Sequence, residues 1–170
     1  MKFKFLPQLP RDFNGIPVLI SGRESANLQE QEFLAVENGG REYVFEIRYE
    51  VHCSPFKEAC FLDTTLGVGH ERHFYLFELE NSTTLISIEL EGYFGHVYMD
   101  GLLFYVAGAS ELYCLDKAGQ IVWKKGDLGI DGVIVEQFEN NAILGVGEWD
   151  PPDGWKPFKL SKATGELIKE

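Results

Sequence analysis

The chain of 170 residues carries a net charge of −12 and is 45% hydrophobic, with 13 Phe, 7 Tyr and 3 Trp. That length and apolar content suit one folded domain, 1–170, with a core of its own, and argue against disorder. The charge is spread evenly, 8 basic and 13 acidic residues in 1–85 against 7 and 14 in 86–170, which disfavours nucleic acid and anionic membranes and favours basic partners.

The first ten residues, MKFKFLPQLP, start basic but are interrupted by Pro7 and Pro10, so they do not read as a signal peptide. No apolar run approaches the roughly 18 residues of a spanning helix. Three cysteines, Cys53, Cys60 and Cys114, are an odd number and suit reduced thiols. The expected location is the cytoplasm.

The first strand pattern follows a turn at 13–15 and covers 16–20, with Pro17 suited to a strand start or edge. A loop at 21–31 holds the best helical candidate, 25–31, before strands at 33–36 and 43–47 around a turn at 38–40. Residues 51–59 have little pattern and read as an excursion loop. Strands at 65–68, 74–79 and 84–88 follow, with a loop at 69–73 and a turn at 80–82. Then come 96–100, an Asp100-Gly101 turn, 102–107, a loop at 108–111, 112–116, a turn at 117–119 and 120–123. The last set is 133–138, 142–146, a long loop at 147–157, 158–160, a turn at 161–165 and 166–168.

Beneath these elements runs a repeat. Leu66-Gly-Val-Gly69, Tyr105-Val-Ala-Gly108 and Leu144-Gly-Val-Gly147 stand 39 residues apart each time. A period near 40 points to one supersecondary unit used several times. The expected fold is all-β, about four antiparallel four-stranded repeats of roughly 40 residues. They would be arranged like propeller blades or as an open β-sandwich. Alternating connections put loops 21–32, 69–73, 108–111 and 147–157 on one rim and the short turns on the other. Variable loops on a regular scaffold are where binding concentrates.

The run 115–123, LDKAGQIVW, echoed by 160–167, LSKATGEL, resembles the repeat of pyrroloquinoline-quinone-type propellers. The resemblance covers about half of the chain and implies blade geometry, with Trp123 in the place of a Trp that docks between neighbouring blades. It does not imply quinone chemistry, because the calcium site of those enzymes has no counterpart here. The stretch 147–160, GEWDPPDGWKPFKL, followed by Thr164-Gly165, is similar to small bacterial β-repeat immunity proteins of polymorphic and contact-dependent toxin systems. That resemblance implies a protein that neutralises a cognate toxin domain by binding it.

Among candidate sites, Trp149-Asp-Pro-Pro-Asp-Gly-Trp155 is the most distinctive. Its prolines stiffen a platform with two Trp and two Asp, a composition suited to a binding anchor or to a lid folded onto the core. Glu71, Glu111, Glu148, Asp150 and Asp153 would make the same rim acidic. Glu89, Glu91, Asp127 and Asp131, in the connections between repeats, would add to it. His70-Glu-Arg-His73, with His52, Cys53 and Cys60 upstream, matches no strong zinc spacing, and an extended chain would point His70 and His73 to opposite faces. Cys114 sits in an alternating strand and reads as a packed thiol. Gly67-Val-Gly69 lacks the helix and Lys-Ser/Thr of a phosphate loop.

These features predict a non-enzymatic binding protein without metal or cofactor. The expected partner is a basic, nuclease-type toxin domain, contacted by Glu71, Glu111, Glu148, Trp149, Asp150, Asp153 and Trp155. The alternatives are a scaffold module and a hydrolase using rim carboxylates.

Overall fold

The computed structural model describes residues 2–20, 30–49 and 56–169 and contains no helix among them. Fifteen strands form four sheets. They fall into two compact units, Met1–Cys53 with Leu79–Thr83, and Ser54–Glu78 with Thr84–Glu170. Most of the helical candidate 25–31, most of the loop 21–32, and His52 and Cys53 lie outside the described residues.

In the first unit, β1 (Lys2–Leu6), β2 (Val18–Leu19), β3 (Glu30–Asn38) and β4 (Arg41–Tyr49) lie in the order β1-β3-β4-β2. β3 and β4 close on a two-residue turn in which Gly39 and Gly40 have φ of 59° and 78°, a conformation open to glycine. Leu34, Val36, Val44, Phe45 and Ile47 are buried. The expected meander does not form here. β2 runs parallel to β4, and β1 takes the free edge of β3. Its Lys-Phe-Lys-Phe alternation has the two-residue strand period, although Pro7 and Pro10 follow so closely.

In the second unit the 39-residue period becomes successive antiparallel sheets. The first holds β5 (Lys57–Leu62), β6 (Thr65–His70), β7 (His73–Glu78) and β8 (Thr83–Glu89) in chain order. The next holds β9 (Phe94–Asp100), β10 (Leu103–Gly108), β11 (Leu112–Asp116) and β12 (Ile121–Lys125). The last holds β13 (Val133–Phe138), β14 (Ala142–Trp149) and β15 (Gly154–Ser161). β5 therefore begins inside the stretch expected to be an excursion loop. The expected loop at 147–157 is instead mostly strand, with Glu148 paired to Trp155 and Trp149 to Gly154 across a turn at 150–153. The fourth strand of the last sheet shrinks to a bridge between Leu160 and Leu167. The outer edge of β15 explains this. Lys159 and Ser161 use that edge to bond Ile168 and Glu166, while Pro157, on the same side by strand alternation, has no N–H to offer.

The sheets of this unit pack face to face, so the middle one is buried on both sides. Phe74, Leu76, Leu90, Phe94, Phe104, Val106 and Leu115 form one layer. Tyr105, Leu112, Cys114, Trp123, Val135, Ile143 and Leu160 form the next. Each large apolar side chain so buried contributes about 1.5–3 kcal/mol. Trp123 docks against the last sheet, its indole N–H donating to the Lys162 carbonyl at 2.8 Å. Gly165 lies so close that an added Cβ would stand 2.5 Å from the Trp123 ring.

The glycines of the period lie near the rim end of the second strand of each sheet. A Cβ on Gly69 would meet the Phe94 ring at 2.1 Å, and one on Gly147 the Leu128 carbonyl oxygen at 1.6 Å. On Gly108 it would meet the Glu111 carboxylate at 2.9 Å and the Tyr93 carbonyl oxygen at 3.3 Å. Side chains can move aside; a main-chain carbonyl in a hydrogen-bonded junction cannot do so cheaply. Gly147→Ala is expected to destabilise the second unit by about 3 kcal/mol or more. Gly126→Ala, which meets nothing within 4 Å, is expected to change stability by about 0.5 kcal/mol or less. Urea unfolding of the two variants checks the contrast, and equal midpoints would contradict it.

Candidate functional site

The connection 126–132 is drawn into the rim and held on both sides. Leu128 N donates to Ser110 O at 3.0 Å and Gly132 N to Ala109 O at 2.8 Å. On the other side Ile130 N donates to Glu148 O at 2.7 Å and Glu148 N to Gly132 O at 2.8 Å. The preceding connection is bound alike, Leu90 N to Arg72 O and Phe94 N to Glu71 O. The turns 71–72, 109–111 and 150–153 thus share a rim with both connections, as the alternation of loops predicts.

On this rim lies a cleft of about 250 Å³, lined by Phe56, Tyr93, His96, Asp131, Glu148 and Trp155, with Gly132 in its wall. Phe56 stacks on Tyr93 with ring centres 6.0 Å apart and an angle of 19°. The Tyr93 hydroxyl donates to the Asp131 carbonyl oxygen. Burial, then Asp131 and Glu148, raises the pKa of that phenol, so it remains protonated at neutral pH. His96 Nδ1 lies 2.8 Å from a Glu58 carboxylate oxygen, whose partner oxygen accepts from Val97 N at 2.9 Å. A Cβ placed on Gly132 would stand 3.1 Å from the Trp155 ring, 3.6 Å from the Tyr93 hydroxyl and 3.7 Å from Glu148 Oε2. An aromatic edge, a hydroxyl and a carboxylate therefore converge over one glycine.

The expected contact residues separate into three groups. Glu148 and Trp155 line the cleft, and Asp150 is exposed on the adjoining turn. Trp149 lies one position along β14 and faces the other side of the hairpin, where the Lys156 ammonium sits 5.4 Å from its ring centre. Lys156 also pairs with Asp153 at 3.0 Å. The two tryptophans therefore do not form a single platform. Glu71 and Glu111, expected on the acidic surface, are 3% and 0% exposed. The Glu111 carboxylate accepts from Glu91 N and from Ser110 Oγ, both at 2.9 Å, and the main-chain carbonyl of Glu71 accepts from the Phe94 amide in the preceding junction. They tie the rim together from within.

Phe56, Tyr93 and His96 were not among the expected site residues. The period marks only Phe56, which stands 39 and 78 residues before Gly95 and Ile134, two further residues of the cleft wall; nothing local in the sequence marks Tyr93 or His96.

The remaining chemistry is packed away. His70 and His73 are paired across the tight β6–β7 turn with ring centres 6.0 Å apart. The positive φ of Glu71, 49°, folds together side chains that an extended chain would separate. Among the described residues no group of three or more His, Cys, Asp or Glu is placed to hold a metal ion. Burial first, then Glu58, pushes the Cys60 thiol up to about 12, and burial pushes Cys114 up to about 11, which makes both poor nucleophiles near neutral pH. Among the described residues no helix is long and apolar enough to cross a membrane.

Glu111→Ala is expected to cost about 2–3 kcal/mol, because the Glu91 amide loses its charged acceptor. Asp150→Ala is expected to stay within about 0.5 kcal/mol; chemical unfolding checks both. Burial and then His73 lower the His70 pKa to about 3. The unfolded chain therefore binds the extra proton, and stability present at pH 7 is lost as pH falls below about 6.5, by up to about 1.4 kcal/mol per unit. His70→Phe is expected to flatten that limb in unfolding curves taken between pH 7 and 4.

No family model and no curated protein matches the sequence. Among solved structures the chain is similar to the AfRom2 CNH domain, at 12% identity and a TM-score of 0.31. The match covers 94% of this chain and 63% of that one, so the chain spans less than two thirds of its length. At that level of likeness, only the site itself bears on function.

Proposed function

We propose that the protein is a non-enzymatic binding module that works in the cytoplasm as an immunity protein, covering the active site of a basic, nuclease-type toxin domain. The carrying observation is the pairing of an exposed indole with uncompensated acid. Trp155 is 47% exposed, and among the described residues no Lys or Arg lies within ion-pair distance of Glu148 or Asp131. Exposed indoles on a paired strand act as interface anchors, and carboxylates of a chain at −12 steer basic partners. The contact set is Glu148, Asp150, Asp131 and Trp155. Glu71 and Glu111 hold the rim in shape, while Trp149 and Asp153 belong to the back of the hairpin.

Capture from the source cells with wild type and with a Trp155→Ala/Glu148→Gln variant tests this reading. A single stoichiometric basic domain is expected, toxic when expressed alone and harmless when co-expressed, with binding weakened by salt. The variant should lose about 2 kcal/mol of affinity, roughly thirtyfold. A non-toxic assembly as the captured partner would move the protein to the scaffold reading. Full affinity in the variant would remove the cleft from the interface.

A further inference from the structure

The cleft over Gly132 is small, about 250 Å³, below the range of pockets that enclose a cofactor or a drug-sized molecule. It suits one side chain. We propose that it is the seat of a single arginine side chain presented by the partner. Its walls are the rings of Phe56, Tyr93 and Trp155, and its charge comes from Glu148 and Asp131.

An apolar occupant would strip water from the Glu148 carboxylate and leave it unpaired, which is unfavourable. A cation supplies the missing partner and gains from aromatic faces. Arginine fits better than lysine for two reasons. Its planar guanidinium stacks on rings while forming two parallel hydrogen bonds to one carboxylate. It is also less strongly hydrated than an ammonium, so it enters a half-enclosed aromatic site at lower desolvation cost. The surroundings keep the seat open. Lys156, the nearest cation in sequence, is turned to the other face of the hairpin and held by Trp149 and Asp153. His96 is held by Glu58. The Tyr93 hydroxyl gives its proton to the Asp131 carbonyl oxygen, so its other side can accept a guanidinium N–H.

The inference rests on the proposed function only for the source of the arginine; the seat can be tested without a partner. N-acetyl-arginine methylamide is titrated into the whole protein at pH 7.5, with the lysine and norleucine analogues alongside. The readouts are the Trp155 indole and Gly132 amide NMR signals. The arginine probe is expected to shift both saturably at millimolar concentration, while the Trp123 and Trp149 indoles stay in place. The lysine analogue should need at least about threefold more, and Glu148→Gln should raise half-saturation roughly tenfold. Its unchanged spectrum elsewhere would establish that it folds. An equal response to the norleucine analogue, or no saturable response to arginine, would overturn the seat. Binding of the probe without toxin capture would leave the seat standing and remove the immunity reading. Toxin capture without probe binding would do the reverse.

Discussion

At three places on the rim a strand leaves almost no room for a side chain. Gly69, Gly108 and Gly147 lie in the last three residues of the second strand of their sheets, and each is pressed by a neighbouring segment. At Gly147 the neighbour is a backbone carbonyl rather than a flexible side chain. That contact lets Leu128 to Gly132 run between two hairpin ends and bond to both. Removing it would take more than a turn, because the layer containing Leu128, Val133 and Ile143 closes over the same segment.

The cleft follows from this junction. Gly132 and Asp131 are placed by hydrogen bonds to Ala109 and Glu148, and Glu148 pairs across the hairpin with Trp155. Strand alternation then decides which side chains meet. Residues 148 and 155 share one face, and 149 and 156 share the other. Glu111, buried beneath, ties the turn after β10 to the connection at Glu91. An acid inside the rim sets geometry, and acids outside it meet the solvent.

Much of this was legible in the chain. The glycine period, the Asp100-Gly101 hairpin and the strands of the third repeat all follow local rules of spacing and turn chemistry. The parts that were not legible depend on register or long-range pairing. The stretch 147–157 reads as a long loop, and only its pairing shows two strands around a tight turn at 150–153, which sends Trp149 and Trp155 to opposite faces. Glu71 and Glu111 read as surface acids because the amides that bond to them, Phe94 N to the Glu71 main-chain carbonyl and Glu91 N to the Glu111 carboxylate, lie 20 or more residues away. β1 pairs with a strand far along the chain, and its short alternation is masked by the prolines behind it.

The account makes the junction as firm as the strands it joins. Native-state hydrogen exchange at the Leu90, Phe94, Leu128, Ile130, Gly132 and Glu148 amides measures this directly, with Tyr105 and Ile143 as strand references. These amides are expected to exchange only through the opening that releases the strands, with matching protection. Exchange at loop-like rates while the strands stay protected would contradict it, since the cleft would then have no fixed wall.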